Sequence, residues 1–225
     1  MRDKIFYGLG ALGMLLLARN LYVIANFPPE AAQGAIFKII FFHVPAAWTA
    51  IVAATTALVT SILFLTTKNF KYDAVAVAST EVGLAFLAIN LVTGSIWGRV
   101  IWGIWWTWDW RLTSALVCWL LYAGYLMLRH AIEEPTQRAT FAGVFSIFAF
   151  LDVPIVVMSI RWFRTQHPSP VFLSSTGSFP HDWTMVLLWN WVALLMIGVV
   201  MTAIRLGHEQ TQREIDYVRR MAHAL

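Results

Sequence analysis

A tryptophan-rich segment, WGIWWTWDWRLTS, occupies residues 102–114 and has two charged side chains, Asp109 and Arg111, set into it. Together with Trp97 it holds six of the chain's twelve tryptophans. Aromatic faces stack on other π-systems, and the planar guanidinium of arginine pairs well with carboxylates. The segment therefore favours a surface for a large, flat, apolar ligand that carries carboxylates. The ordinary alternative is a belt of tryptophans at a membrane interface.

Histidines supply a second kind of chemistry. His43 stands in FFHVPAAW, while His167 and His181 lie in RWFRTQHPSPVFLSSTGSFPHDW. Neutral imidazole is a common metal ligand, and one histidine on each side gives axial ligation of haem iron. Haem is flat and apolar and carries two propionates, so it suits the tryptophans, the arginines and the histidines together. Zinc fits poorly, because no thiolate or carboxylate cluster accompanies the histidines at metal-site spacing.

Composition indicates a membrane protein. Hydrophobic residues make up 59% of the chain and charged residues only 12%, whereas soluble domains carry about 25% charged residues. A helix that crosses the hydrocarbon layer needs about 20 mainly apolar residues. Six segments qualify, namely residues 5–25, 39–65, 74–96, 112–128, 141–160 and 183–204. We therefore predict an all-α integral membrane protein with six transmembrane helices, built as a single polytopic domain over residues 1–225.

Basic residues predict the orientation, because lysine and arginine favour cytoplasmic loops. Ten of them fall on one side, namely Arg2, Lys4, Lys68, Lys71, Arg129, Arg138, Arg205, Arg213, Arg219 and Arg220. We assign that side as cytoplasmic, with both termini and a tail over residues 206–225. The tryptophan-rich segment, residues 97–112, then forms an external loop between helices 3 and 4. By the same parity His43, His167 and His181 lie on the external side.

The tryptophan-rich segment resembles the WWD signature of the haem-handling proteins of cytochrome c maturation, close to W-G-x-W-W-x-W-D-x-R-L-T-S. The matching positions are Trp102, Gly103, Trp105, Trp106, Trp108, Asp109, Arg111, Leu112, Thr113 and Ser114. GSIWG at 94–98, the sequence around His43 and an H-x-x-P-like loop at His167 also match. Six helices and this chain length are similar to the haem exporter protein C subfamily, and the resemblance covers nearly the whole chain.

The resemblance implies a transient haem b on the external, periplasmic face of a bacterial inner membrane. His43 and His167 would be the axial ligands, and RWFRTQH favours His167 over the alternative, His181. The other haem-handling residues would be Trp102, Trp105, Trp106, Trp108, Asp109 and Arg111. The implied partners are a membrane-anchored haem chaperone, the ATPase and membrane subunits of an ABC transporter, and a small single-helix subunit. Membrane lipid surrounds the chain, and no nucleic acid is expected.

The expected role is haem handling within a transport complex rather than enzymatic catalysis. The chain has no G-x-x-x-x-G-K-[ST] loop for ATP hydrolysis. One rival interpretation is a b-type haem subunit for membrane electron transfer, although such sites place their histidines on facing helices inside the bilayer. The other is a non-catalytic packing subunit, which accounts for the hydropathy but not for the gathered tryptophans, histidines and arginines.

Three further expectations concern the polar residues within the spans, the two charged residues of the tryptophan-rich segment and the shape of that segment. Glu81, Asn90 and Asp152 fall within predicted spans, where buried hydrogen-bonding roles are expected. Asp109 is expected to anchor an indole N–H, a backbone amide or another outer cation, which leaves Arg111 free to engage a carboxylate. If the tryptophan-rich loop is helical, residues 102, 105, 106 and 109 share one face.

Overall fold

The structure is a computed structural model that describes residues 2–168 and 179–223. Six helical stretches are long and apolar enough to cross a membrane, so the predicted all-helical architecture with six spans is confirmed. The helices are α1 (Arg2–Asn26), α2 (Ile40–Thr67), α3 (Phe70–Trp102), α4 (Trp110–Ala131), α5 (Pro135–Phe150), α6 (Asp152–Trp162) and α7 (His181–His223). A short 3₁₀ helix, Ala35–Ile39, leads into α2.

Two elements differ from the simplest expectation. The fifth span consists of α5 and α6, separated at Leu151. Pro154 has no N–H to donate to the carbonyl of Phe150, and this missing bond explains the interruption. The described part of the tail at residues 206–223 is not a separate helix but the continuation of α7. With 43 residues, α7 is about 64 Å long, roughly twice the thickness of the hydrocarbon layer.

The helices form a bundle with two chemically different ends. The tryptophan end carries the α3–α4 connection, and the terminal end carries the start of α1 and the end of α7. α1 and α7 are antiparallel, since Asn20 contacts Asn190 while Gly10 lies opposite Val200. The α2–α3 hairpin forms the centre of the bundle, and α7, α5 and α4 pack around it.

A proline in α2 is compensated by side chains from two other helices. Pro45 cannot donate a hydrogen bond to the carbonyl of Phe41, which is fully buried. The side-chain amide of Asn190 donates to that carbonyl instead. Asn190 in turn accepts a hydrogen bond from Asn20 at 3.4 Å. This polar ladder joins α1, α7 and α2 within the apolar interior and fixes the backbone two residues before His43.

Ion pairs join the helices at the terminal end. Arg129 of α4 and Arg213 of α7 each bind Asp73 of α3 at 2.6 Å, and Arg213 also binds Glu209 at 2.7 Å. About two turns deeper along α3, Glu81 pairs with Arg205. Glu81 therefore makes hydrogen bonds as expected, although its side chain is half-buried rather than buried.

The polar ladder predicts that Asn190→Ala destabilises the fold. Loss of the amide leaves the Phe41 carbonyl unpaired, which should lower the free energy of unfolding by about 1–3 kcal/mol. Pro45→Ala restores an N–H for the same carbonyl, so the cost of Asn190→Ala should shrink in that background. The measurement is SDS-induced unfolding of the protein in detergent micelles.

The matched control is Asn26→Ala, which removes an exposed asparagine at the end of α1 and should change little. An equal cost of Asn190→Ala with and without Pro45→Ala would show that the freed carbonyl is not the cause.

Candidate functional site

A pocket with a volume of about 150 Å³ opens at the tryptophan end, between α2, α3, α4 and the segment after α6. Both His43 and His167 line it, with their ring centroids 6.5 Å apart and their planes inclined by 29°. Of the other residues expected from the sequence, Trp102, Trp106 and Arg111 also line this histidine pocket. The two histidines are 124 positions apart in the chain, so only the tertiary fold brings them together.

Residues of α3 clamp the His43 ring in one orientation. Thr93 donates its hydroxyl proton to the carbonyl of Ile89, so its oxygen accepts from Nδ1 of His43 at 3.0 Å. That tautomer leaves a lone pair on Nε2. The amide nitrogen of Asn90 lies 3.3 Å and 3.2 Å from the two ring nitrogens, which places it over the ring face. A Cβ on Gly94 would stand 2.9 Å from Cε1 of His43, so glycine permits this close approach.

His167 has a similar arrangement. Its Nδ1 donates to the carbonyl of Pro168 at 2.9 Å, which again leaves Nε2 with a lone pair. Burial lowers the pKa of His167, and the positive charge of Arg111 acts in the same direction. The His167 imidazole therefore favours the neutral form that binds metals, and each of the two rings has its second nitrogen engaged, as in many metal sites.

Asp109 connects the tryptophan-rich segment with the segment that carries His167. Its Oδ1 caps α4 by accepting from the amide of Leu112 at 2.9 Å. Its Oδ2 accepts from the hydroxyl of Thr165 at 2.7 Å and from the amide of Gln166 at 3.0 Å. Burial acts to raise the pKa of Asp109, but these hydrogen bonds outweigh it and lower the pKa. The expectation that Asp109 anchors backbone amides is confirmed.

Arg111 has no carboxylate partner among the described residues. Its guanidinium donates to the carbonyl of Val156 in α6, and none of the ion pairs in the described ranges joins it to Asp109. A guanidinium has five N–H donors, so several remain available at the wall of the histidine pocket. Nor do the described residues contain a cluster of three or more His, Cys, Asp or Glu that could hold a metal ion.

The tryptophans divide into two groups. The connection between α3 and α4 is not helical, so residues 102, 105, 106 and 109 do not share a helical face. Trp102 and Trp106 line the histidine pocket, and the buried indole N–H of Trp106 has no partner in the described part of the chain. Trp105 and Trp108 are 59% and 78% exposed and lie outside the pocket lining.

Contacts with α3 hold the tryptophan-rich connection in place. The hydroxyl of Ser95 donates to the carbonyl of Trp105 at 2.8 Å, and the guanidinium of Arg99 donates to the carbonyl of Gly103. Arg99 also lies 6.0 Å from the ring of Trp105. Hydrogen bonds to α3 therefore hold the backbone of the loop that carries the exposed tryptophans.

His181, the alternative ligand, begins α7, is exposed and does not line the histidine pocket. Most of the fifth loop, residues 169–178, lies outside the described residues. The segment up to Pro168 is enough to bring His167 to the pocket, because Asp109 holds the two residues before it.

Sequence reasoning missed the supporting residues on α3. Asn90 was expected to make buried hydrogen bonds, but its contact with His43 was not foreseen, nor were those of Thr93 and Gly94. Trp97, whose indole donates to the side chain of Gln33 at 2.7 Å, also lines the pocket. These positions follow i, i+3, i+4 and i+7 spacing, which places them on one face of a helix. This helical spacing was the feature of the sequence that could have identified these residues as one group.

Fold and site together define a multi-pass membrane protein with a two-histidine pocket beside an aromatic surface at one end of its helical bundle. The family model for Heme exporter protein C matches residues 1–221, and the chain belongs to this family.

Similar proteins come from several bacteria. Heme exporter protein C of Bradyrhizobium diazoefficiens is 33% identical over 214 residues, which cover 95% of this chain and 81% of that protein. The Escherichia coli K12 protein of the same name is 33% identical over 180 residues, covering 80% and 72%. That of Paracoccus denitrificans is 44% identical over 129 residues, covering 56% and 54%.

Replacement of Asp109 should loosen two segments at once. Asp109→Ala should cost about 0.5–2 kcal/mol at the cap of α4 and speed hydrogen exchange at the amides of both Leu112 and Gln166. Asp109→Asn keeps one acceptor and should be milder. Because the pKa of Asp109 is lowered, the stability that its hydrogen bonds contribute is fully present above the ordinary aspartate pKa. It is lost as the pH falls through the lowered pKa of Asp109.

Glu134→Ala is the matched control, since Glu134 caps α5 in the same way without contacting another segment. If Asp109→Ala leaves exchange at Gln166 as slow as in the control, Asp109 does not hold the His167 segment.

Proposed function

We propose that this chain binds haem at its tryptophan end and presents it to a haem chaperone for c-type cytochrome biogenesis. Membership of the Heme exporter protein C family implies a role in haem delivery for cytochrome c maturation. The observation that carries the finer proposal is the pair of imidazoles, His43 and His167, across one open pocket.

The separation of the imidazoles fits a single shared metal. A ring nitrogen lies about 2 Å from a transition metal that it binds, so two imidazoles on opposite sides of one metal have centroids roughly 6 Å apart. The observed distance is 6.5 Å. In this proposal His43 and His167 are the axial ligands of the haem iron through Nε2, because Nδ1 of each ring is engaged by an oxygen of the protein.

The size of the pocket favours presentation over storage. Pockets that enclose a small molecule usually measure about 300–1,000 Å³, whereas this one measures about 150 Å³. Haem would therefore be only partly enclosed and would rest against the aromatic surface outside. An open haem edge suits a transiently bound haem b. It suits the alternative, a b-type haem for membrane electron transfer, less well.

The available donors suggest how haem is oriented. Among the described residues, the guanidinium of Arg111 has no carboxylate partner and the indole N–H of Trp106 has no acceptor. Haem propionates are the part of the ligand that needs such donors. With the propionate edge toward Arg111, the apolar edge of the macrocycle would face outward.

The exposed aromatic residues offer a surface to the chaperone. Trp105 and Trp108 stand beside the pocket, and Trp110 stacks on Phe163 with centroids 4.2 Å apart. Exposed aromatic clusters of this kind often mark protein interfaces. We therefore assign Trp102 and Trp106 to haem and Trp105 and Trp108 to the chaperone.

The remaining assignments rest on the family resemblance and on the distribution of basic residues. They are a multi-pass position in the bacterial inner membrane, a periplasmic tryptophan end and a cytoplasmic tail at residues 206–225. The chain would be a non-enzymatic subunit beside the ATPase and membrane subunits of an ABC transporter and a small single-helix subunit.

His43→Gly and His167→Gly should each lower retained haem at least about tenfold, since loss of supporting groups alone costs 10–100-fold in metal affinity. Added imidazole should restore a six-coordinate spectrum, because it replaces the missing ring. Soret absorbance of the purified protein is the measurement, with His181→Gly as the control. If both His43→Gly and His167→Gly retain as much haem as the unaltered protein, these two histidines are not the axial ligands. If His167→Gly retains haem but His181→Gly loses it, the second ligand is His181.

Two double variants should separate the tryptophan groups. Trp102→Leu with Trp106→Leu removes stacking from the pocket and should weaken haem binding about tenfold, at roughly 0.5–1.5 kcal/mol for each ring. Trp105→Leu with Trp108→Leu should retain haem but slow its transfer to the chaperone. Trp189→Leu, an exposed tryptophan on α7, is the control. Equal effects of the two double variants on haem retention would contradict this division.

A further inference from the structure

A second cavity lies deeper in the bundle, between α2, α3, α4 and α6. It has a volume of about 50 Å³ and shares Asn90 and Arg111 with the histidine pocket above it. Its walls are mainly small or branched apolar side chains, including Ala50, Ala54, Gly83, Val153 and Val157. A cavity needs only about 10–15 Å³ of such volume to hold one water molecule.

Two buried hydroxyl groups line this inner cavity without a hydrogen-bond partner among the described residues. They belong to Thr80, which is 1% exposed, and Tyr122, which is 4% exposed. Buried polar side chains in folded proteins nearly always have a partner. These two hydroxyls therefore need a small ligand that can both donate and accept hydrogen bonds.

The hydroxyl of Thr80 differs from those of several threonines in the same bundle. Thr49, Thr55 and Thr60 each donate to the carbonyl four residues earlier, which satisfies the hydroxyl within the helix. No such bond is present for Thr80 in the described structure. Its hydroxyl is therefore available to the cavity, and the helix itself does not account for it.

Arg111 stands at the junction of the two cavities and also needs a polar ligand. One hydrogen bond, to the carbonyl of Val156, is present in the described ranges. A partly buried charge with unused donors is unfavourable unless hydrogen-bonding groups solvate it. A polar ligand in the inner cavity would meet the needs of Arg111, Thr80 and Tyr122 together.

We propose that the inner cavity is an internal hydration site whose water molecules bind Thr80 and Tyr122 and solvate Arg111 from within the bundle. Water fits because it donates and accepts in a space of this size. A hydrocarbon occupant, such as a lipid acyl chain, would leave all three groups unsatisfied. This inference is independent of what binds between the histidines. Its consequence is that the Arg111 charge is solvated before any anionic ligand arrives.

X-ray radiolytic footprinting tests this directly, because buried side chains are oxidised when a water molecule lies beside them. The full chain in nanodiscs is irradiated, and oxidation is read at Tyr122 and at Cys118, which also lines the cavity and is the chain's single cysteine. Phe86 is the control, because it is 4% exposed like Tyr122, has no polar atom that needs a water molecule and is absent from the cavity lining. With each rate divided by the intrinsic reactivity of its side chain, we expect Tyr122 to react at least about tenfold faster than Phe86. Equal, slow rates would overturn the proposal.

Thr80→Val gives a second, independent readout. In a hydrated cavity this nearly isosteric change removes a water-bonding group, so it should lower the melting temperature and reduce oxidation of Tyr122. In a dry cavity it removes an unsatisfied hydroxyl, so the melting temperature should rise, and that result would overturn the proposal. Thr49→Val is the control, because the hydroxyl of Thr49 is bonded within α2. It should leave the oxidation of Tyr122 unchanged.

Discussion

A bundle of membrane-spanning helices must satisfy its polar groups internally, because lipid offers them no hydrogen-bond partners. The start of α2 shows how this structure meets that constraint. Pro45 removes one backbone donor from α2, and Asn190 reaches across from α7 to occupy the freed carbonyl of Phe41. The side-chain oxygen of Asn190 then accepts a hydrogen bond from the side-chain amide of Asn20. The entry of α2 into the membrane, where His43 stands, is therefore set by side chains from two other helices.

The arginines at the two ends of the bundle have different hydrogen-bond partners. At the terminal end Arg129, Arg205 and Arg213 all pair with carboxylates of neighbouring helices, so the charges serve packing. At the tryptophan end Arg111 donates to a backbone carbonyl and pairs with no carboxylate within the described ranges, and the indole of Trp106 has no described partner. Unused donors are costly where they only hold a fold together, but useful where an anionic ligand binds and leaves. This contrast, more than the number of tryptophans, supports the proposal that the tryptophan end is the binding end.

Asp109 makes the site a single unit. One carboxylate caps α4 and also holds the chain at Thr165 and Gln166, just before His167. On the other side Thr93, Asn90 and Gly94 hold the His43 ring against α3. The histidines thus approach each other from two separately braced supports. This arrangement suits the proposal that the two imidazoles bind a flat ligand in an open pocket and leave one edge of it free for a partner.

The sequence alone was enough to predict the membrane spans and to place the tryptophan-rich segment and the candidate histidines at one end of the bundle. The length of the apolar runs indicates six crossings, and because successive crossings alternate in direction, the first, third and fifth loops, with His43, the tryptophan-rich segment and His167, are expected on the same side. These inferences hold because hydropathy and helix length depend on neighbouring residues alone. The resemblance to a haem-handling family added the expected types of iron ligand, again from contiguous motifs.

Tertiary structure decided the rest. His167 rather than His181 reaches His43, because Asp109 binds residues more than fifty positions away. Trp102 and Trp106 enter the pocket while Trp105 and Trp108 stay exposed, because the connection between α3 and α4 is not helical and its turns depend on contacts with Ser95 and Arg99. Such contacts join distant parts of the chain, and no local periodicity encodes them.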